Sequence, residues 1–176
     1  MNPLIKGLVI AALHVGIVGS LGAKLLYDRS TQPRVWALTA PYDPNLPIRG
    51  RYASLQLVVE PRGIAEPTPG RVPQPPSKSV ILRADAERLV AEAKPQAFGY
   101  DPSDLRVQFI QRRGETLAVL ERRVAFFIPE HISDPSIRPA DEELWVEVTI
   151  PKKGPPRPIR LGVKKGDGPI VPLEIG

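Results

Sequence analysis

The chain has 176 residues, with 24 basic and 19 acidic side chains, a formal net charge of +5, no cysteine, two histidines, 22 prolines and 14 glycines. Without cysteine there is no disulfide, thiolate zinc site, iron–sulfur cluster, thiol nucleophile or lipidated N-terminal cysteine, and two histidines exclude a histidine-rich metal cluster. Proline and glycine exceed their usual combined share of roughly an eighth, yet an apolar content of 42% is enough for one packed domain with appendages.

The first element is apolar. Gly7–Ala23, GLVIAALHVGIVGSLGA, lies between Lys6 and Lys24 and carries no charge, and the run extends from Leu4 to Tyr27. As a helix rising about 1.5 Å per residue it reaches across a hydrocarbon core of roughly 30 Å. Lipid requires the helix, because an unpaired backbone group there costs several kcal/mol. Residues 1–27 are therefore expected to anchor the chain in the lipid bilayer, with Lys6 and Lys24 snorkelling to the two headgroup layers and Tyr27 at the interface. A cleaved signal peptide is the competing reading, since Ser20-Leu21-Gly22 has the small-residue spacing of a cleavage site. The single lysine before the run and the length of the run favour an uncleaved signal-anchor. Lys6 faces Lys24, Arg29 and Arg34, offset by Asp28, so charge does not orient the span. The usual behaviour of signal-anchors places residues 28–176 on the exported side. Ala12, Gly16 and Ser20 stand at the small-xxx-small spacing that lets helices approach. His14, mid-span, is a functional candidate by its depth, and a bond to a partner helix or a backbone carbonyl is its structural alternative.

Beyond Tyr27 the pattern alternates as strands do. Val35–Thr39 is short. Arg51–Glu60 puts Ala53, Leu55, Leu57 and Val59 on one face, and Lys78–Arg83 is a further apolar run. Leu105–Gln111 and Glu115–Arg122 flank Arg112-Arg113-Gly114, a hairpin signal with glycine at the positive-φ position. Val124–Ile128 is extended. Leu144, Val146, Val148 and Ile150 alternate with polar or aromatic partners, Ile159, Leu161 and Val163 repeat the pattern, and Ile170–Ile175 closes the series. Only residues 85–95 read as a helix after the anchor: Ala86, Leu89, Val90 and Ala93 form an i, i+3, i+4, i+7 stripe, with Asp85 as cap and Pro95 as stop. The expected fold is mainly β, an N-terminal transmembrane helix followed by an antiparallel β sandwich or partly open barrel with one short helix. Two proline-rich stretches, 61–78 and 151–158, read as exposed loops, because proline gives no amide hydrogen to a ladder. A stiff loop and a polyproline ligand both fit the first.

The densest local signal is Pro41–Leu57, PYDPNLPIRGRYASLQL. Asp43-Pro44 and Leu46-Pro47 force turns. Asp43 can pair with Arg49 or Arg51 across the loop, Gly50 supplies a backbone geometry closed to side chains, and Tyr52 can place its ring in the core with its hydroxyl at the rim. The loop reads either as a ligand-holding element or as a rigid corner.

This stretch resembles the GDYXXLXY family of bacterial membrane-anchored proteins. Gly50, Tyr52 and Leu55 match the signature, while Arg51 stands where the family has Asp and Leu57 where it has the final Tyr. Ala125–Glu130 is similar to a family segment in which an aromatic strand ends in Pro-Glu, here Pro129-Glu130. The resemblance implies a single N-terminal anchor in the bacterial cytoplasmic membrane, an extracytoplasmic β domain and association with a multi-span membrane protein. It implies no catalytic residue.

A hydrolase is a further alternative, and the residues give it little support. A membrane signal peptidase needs a serine about eight positions before the glycine of its Gly-x-Tyr strand. That position is Tyr42, and no serine lies between Thr31 and Gly50. A Ser/His/Asp site has only His131 outside the span, beside Glu130 and near Asp134. No phosphate-cradling loop is present, and no catalytic, metal or cofactor site is expected. Charge is uneven: residues 128–147 carry a net −5 and residues 151–176 a net +4. The basic tail has no aromatic residue for stacking, which argues against nucleic acid. An anionic lipid surface, an acidic partner loop or a solubilising face remain. A small-molecule-binding domain is the alternative to an interaction protein, and a deep pocket with Tyr52 at its mouth would mark it.

Overall fold

The computed structural model describes residues 3–40, 52–66, 79–86, 88–95, 101, 103–112, 114–129, 132, 134–152 and 154–174. The chain divides into two compact units, Met1–Gln32 and Pro33–Gly176.

The first unit is one helix, α1 (Pro3–Thr31). It holds an 18-residue window of mean hydropathy 2.0 and is long and apolar enough to cross a membrane. Within it the Ser20 hydroxyl donates to the Ile17 carbonyl at 2.8 Å and His14 Nδ1 to the Ile10 carbonyl at 2.8 Å. Both bonds satisfy a polar side chain on the helix's own backbone, the economical solution in an apolar setting. The helix passes beyond the apolar run by one turn, in which the Ser30 and Thr31 hydroxyls both donate to the Tyr27 carbonyl.

The second unit is a β sandwich of two sheets. The first contains β1 (Arg34–Ala40), β2 (Tyr52–Leu57), β8 (Val124–Phe127), β9 (Glu142–Thr149), β10 (Arg157–Lys165) and β11 (Val171–Pro172), in the order β11-β10-β9-β1-β2-β8 and antiparallel throughout. The second contains β3 (Glu60–Arg62), β4 (Ser79–Asp85), β5 (Arg88–Ala93), β6 (Leu105–Arg112) and β7 (Glu115–Leu120), in the order β3-β5-β4-β6-β7. Here only β3 and β5 run parallel. The chain after β2 changes sheets: the Val58 amide donates to Leu38 of β1, and the Val59 amide donates to Ala118 of β7. That crossing ties the two layers along one corner.

Alternation decides which side chains meet inside. Ala53, Leu55, Leu57 and Val59 are buried as one face, and Leu144, Val146, Val148 and Ile150 form another. They join Val35, Ala37, Leu89, Ala91, Val107, Leu120 and Leu161 in a single apolar cluster. Leu57, Leu120 and Leu161 are wholly enclosed, each contributing about 1.5–3 kcal/mol relative to exposure. Thr39, buried among them, donates its hydroxyl to the Leu144 carbonyl at 2.8 Å. The turn between β6 and β7 has the expected form, with Arg112 facing Glu115 and Gly114 at φ +86°.

The helix expected at 85–95 is not formed. Those residues make the end of β4, a turn at Ala86 and β5, with Asp85 opposite Arg88. The stripe Ala86, Leu89, Val90 and Ala93 satisfies a helical period, but β5 lies between β3 and β4 and buries Leu89, Val90 and Ala91 in succession. Leu89 and Ala91 enter the core. Val90, also fully buried, has Glu60 and Arg83 as its register partners. Asp85, expected as a helix cap, instead pairs with Arg62, beside the cross-strand ion pairs Arg83–Glu92 (2.7 Å) and Arg88–Glu60 (3.6 Å). Both proline-rich loops are also shorter than expected. Pro61 lies in β3 at a sheet edge, and Pro158 lies in β10 beside a register shift, the two settings where a strand tolerates a missing amide hydrogen.

Candidate functional site

Three surfaces of the sandwich carry chemistry beyond packing. The first is the β2–β8 edge. Because Ala53 and Leu55 point inward, Tyr52 and Ser54 must point out, and so must their partners Phe127 and Ala125. The expectation that the Tyr52 ring enters the core is therefore corrected by the period of its own strand. Tyr52 is 56% exposed and Phe127 50% exposed, and their rings meet edge to face at 5.7 Å and 74°. Such a pair is worth about 0.5–1.5 kcal/mol beyond its area and holds both rings rigid at the end of the sheet. Leu55 is buried. Pro129 is half-buried, and its carbonyl accepts the Ile132 amide at 3.1 Å, which turns the chain after β8. Asp43, Arg49, Gly50, Arg51, Glu130 and His131 lie outside the described residues.

The second surface is a cleft of about 600 Å³ at the end of the first sheet remote from Arg34. Its walls come from the end of β1, from Ser54 and Leu55 of β2, from the start of β9, from the 136–141 loop and from the β6–β7 hairpin. Among the described lining residues Glu115, Asp141, Glu142, Glu143 and Asp167 outnumber Arg112 and Arg138. Several of these carboxylates already have structural partners. Lys165 Nζ lies 3.1 Å from Asp141, Arg138 Nη1 lies 3.5 Å from Glu142, and Trp145 Nε1 donates to Glu143 at 3.2 Å. The Lys165 ammonium holds the Asp141 carboxyl below its ordinary range, and Asp141 in turn raises Lys165. Tyr52 does not line the cleft among its described walls. No group of three or more metal-ligating side chains occurs among the described residues. Asp134, a member of the tested Ser/His/Asp set, accepts the Ser136 amide at 2.9 Å and the Ser136 hydroxyl at 2.7 Å, a local turn bond.

The third surface is the outer face of β1, β9 and β10. Trp36, Glu147 and Arg160 form one cross-strand row. Glu147 is only 8% exposed, and Arg160 Nε reaches it at 2.6 Å while the guanidinium lies 5.4 Å from the Trp36 ring centre. Leaving such a carboxylate without its cation would cost several kcal/mol. Two rows further along this face Lys164 lies opposite Glu143, with its ammonium 5.9 Å from the Trp145 ring centre, and in the next pair of the ladder Lys165 lies opposite Glu142. The acidic segment and the basic tail are thus neighbours in one ladder: the acidic partner that the tail seemed to seek is strand β9. Gly162 sits inside this face with the Trp36 ring against it. Sequence reasoning missed this cluster, although a lone glycine within a strand is the usual sign of a close approach.

No family model, no curated protein and no solved structure matches the chain. The resemblance to the GDYXXLXY proteins rests on Gly50, Tyr52 and Leu55 and on the 125–130 segment.

Proposed function

We propose that the chain is a membrane-anchored, non-enzymatic accessory protein. Its helix crosses the bacterial cytoplasmic membrane once, and its β domain, on the periplasmic or outer side, contacts a multi-span membrane protein through the Tyr52–Phe127 edge. The observation that carries this reading is that pair: two exposed aromatic rings, fixed against each other at an edge strand, Val124–Phe127, that bears no charge. Rigid aromatics that bury much area at little entropic cost are typical anchors of protein interfaces. The resemblance to the GDYXXLXY proteins supports the multi-span partner. Nucleic acid and cofactors have no part in the reading.

A photo-crosslinking side chain at position 127, in native membranes, is expected to give one discrete heavier species, and Tyr52→Ala should weaken the complex in mild detergent by about 2 kcal/mol. Recovery of the uncrosslinked chain alone would remove the reading. The cleft favours a second reading, a small-molecule-binding domain, since about 600 Å³ falls within the usual range of roughly 300–1,000 Å³. A bound small molecule released from the purified protein in native mass spectrometry, with no crosslink from position 127, would favour it.

A further inference from the structure

We infer that α1 packs lengthwise against a transmembrane helix of a different protein, one that presents a hydrogen-bond donor to His14 Nε2 at mid-membrane. The inference rests on the membrane-anchor reading and names what the multi-span partner must offer to the anchor.

The hydrogen bond within α1 serves only one nitrogen of the imidazole. His14 Nδ1 lies 2.8 Å from the Ile10 carbonyl, and a carbonyl oxygen can only accept. The proton is therefore on Nδ1, and in the neutral ring Nε2 keeps a bare lone pair. A charged ring is far costlier in hydrocarbon, so the neutral form is the one to satisfy. Nε2 has no partner among the described residues, and no residue of α1 is buried. His14 stands one position from the midpoint of Lys6 and Lys24, about 1.5 Å along the helix axis. The headgroup layers begin about 15 Å away on either side, beyond the reach of an imidazole. In a bilayer the missing donor must come from protein.

The residues in line with His14 suit a second helix. Gly7, Ala11, His14, Val18, Leu21 and Leu25 follow one another at intervals of four, three, four, three and four. That is the 3.5-residue seam of a left-handed helix pair, the usual crossing in membrane bundles. Ala11 and Gly7, one and two turns before His14, have little bulk to hold a neighbour off. The other small-residue row, Ala12, Gly16 and Ser20, is turned about 160° away at 3.6 residues per turn. Its one polar group, the Ser20 hydroxyl, already donates to the Ile17 carbonyl. The seam, and not that row, carries the unmet polar group.

A second copy of the chain does not meet the demand. Copies insert in one orientation, so two His14 rings would face each other at one depth, each with a lone pair and no proton between them. A hydroxyl or carboxamide on a different helix supplies that proton. Such a bond favours association in a membrane by roughly three-fold, and at most by about twenty-fold.

The test uses the full chain in native membranes. A photo-crosslinking side chain at Val18 or Leu21, on the seam, should give a heavier species, and one at Val9, turned away from it, should not. His14→Leu should lower the yield from both seam positions by about three-fold or more. His14→Gln, whose carboxamide oxygen stands near the place of Nε2, should restore it. Carbonate extraction checks that each variant is still inserted. Two copies with different tags are expressed together, and a heavier species that carries both tags overturns the foreign donor. A yield that His14→Leu leaves unchanged, or a stronger crosslink from Val9 than from Val18, overturns the seam. A crosslink from position 127 with none from 18 or 21 overturns the seam and leaves the accessory reading standing. Release of the unsubstituted chain by carbonate overturns the anchor, and the seam with it.

Discussion

Replacing Gly162 with alanine adds one methyl group where the structure has no room for it. A Cβ on Gly162 would stand 2.8 Å from Ile170 Cγ2 and 2.9 and 3.0 Å from Trp36 Cζ3 and Cη2. Carbon atoms in contact prefer about 3.5–4.0 Å, so the overlap is nearly an ångström on two sides at once. Neither neighbour gives way easily. The Ile170 methyl is attached to a β-branched carbon with restricted χ1, and the Trp36 ring is flanked by the Arg160 guanidinium at 5.4 Å. Overpacking of this kind costs about 1–3 kcal/mol, and displacing the ring also forfeits the cation–π contact, about 0.5–1 kcal/mol at a part-exposed site. Better strand propensity for alanine returns up to about 1 kcal/mol. The expected net loss is about 2 kcal/mol, a fall in Tm of about 6–8 °C for a unit of this size. Urea unfolding of the full chain in detergent micelles measures it. Both tryptophans, Trp36 and Trp145, lie on this face, so their emission reports the affected region. Trp36→Leu removes the clashing atoms, and the double variant should be less destabilised than the sum of the singles by at least about 0.5 kcal/mol. A Gly162→Ala loss below about 0.5 kcal/mol, the range of ordinary surface changes, or strict additivity in the cycle, would refute the close approach.

Two further substitutions probe the second sheet. Ala86 holds φ +42° in the β4–β5 turn, a left-handed conformation that costs a residue with a Cβ about 1–2 kcal/mol. Ala86→Gly removes that strain at an unfolded-state cost of about 0.4–1 kcal/mol, and should raise stability by about 0.5 kcal/mol in the same urea assay; a loss would contradict the turn. The Lys94–Asp104 bond, 2.7 Å, should limit stability at both ends of the pH scale. Hydrogen bonds from Lys94 and then Ser79 hold the Asp104 carboxyl below its ordinary value, so its contribution is present above about pH 4 and drains as pH falls through the lowered native pKa. Asp104 holds the Lys94 ammonium above its ordinary value, so that contribution is complete below about pH 10.4 and is lost as pH rises through the raised native pKa. Thermal unfolding across pH should show Asp104→Asn less stable than the parent between these limits, with the gap closing at each end. A gap unchanged down to pH 2 would exclude the pair as its source.

Most strands were legible because one face of each is buried. In β9, Leu144, Val146 and Val148 alternate so strictly that no other element fits, and the turn at Gly114 was marked by its glycine. The 85–95 segment was not legible, since buried Val90, on the same face as exposed Arg88, interrupts the two-residue period of β5. Ala86, Leu89, Val90 and Ala93 then satisfied the helical template, and the pairing of β5 with β3 and β4 that outweighs it is a property of register, which no window of ten residues contains. Tyr52 shows a different failure. Its outward direction followed from Ala53 and Leu55 being inside, but a preference for buried tyrosine rings was set above the period of the strand. The β2–β8 edge was therefore present in the sequence and assigned to the wrong face. The Trp36–Gly162 contact had only the glycine as its signal, because residues 36 and 162 meet through a sheet ladder across β9.

Register also explains the charge pattern. Directly opposed like charges destabilise an antiparallel pair, and opposed unlike charges contribute about 0.2–1 kcal/mol per pair. Glu142, Glu143 and Glu147 opposite Lys165, Lys164 and Arg160 thus favour this hairpin, and a slip of one residue would move every pair out of opposition. An acidic block followed by a basic block along the chain is what a hairpin needs for such a ladder, so the block charges specify fold before they specify any partner. Lys152 and Arg157 fall outside that argument, because the opposing strand offers Thr149 and Val148 there and no carboxylate. They do nothing for the register, and an exposed proline-rich loop would be equally soluble with one sign mixed into the other. The ladder thus accounts for Arg160, Lys164 and Lys165, the basic residues of β10 that face a carboxylate across the hairpin.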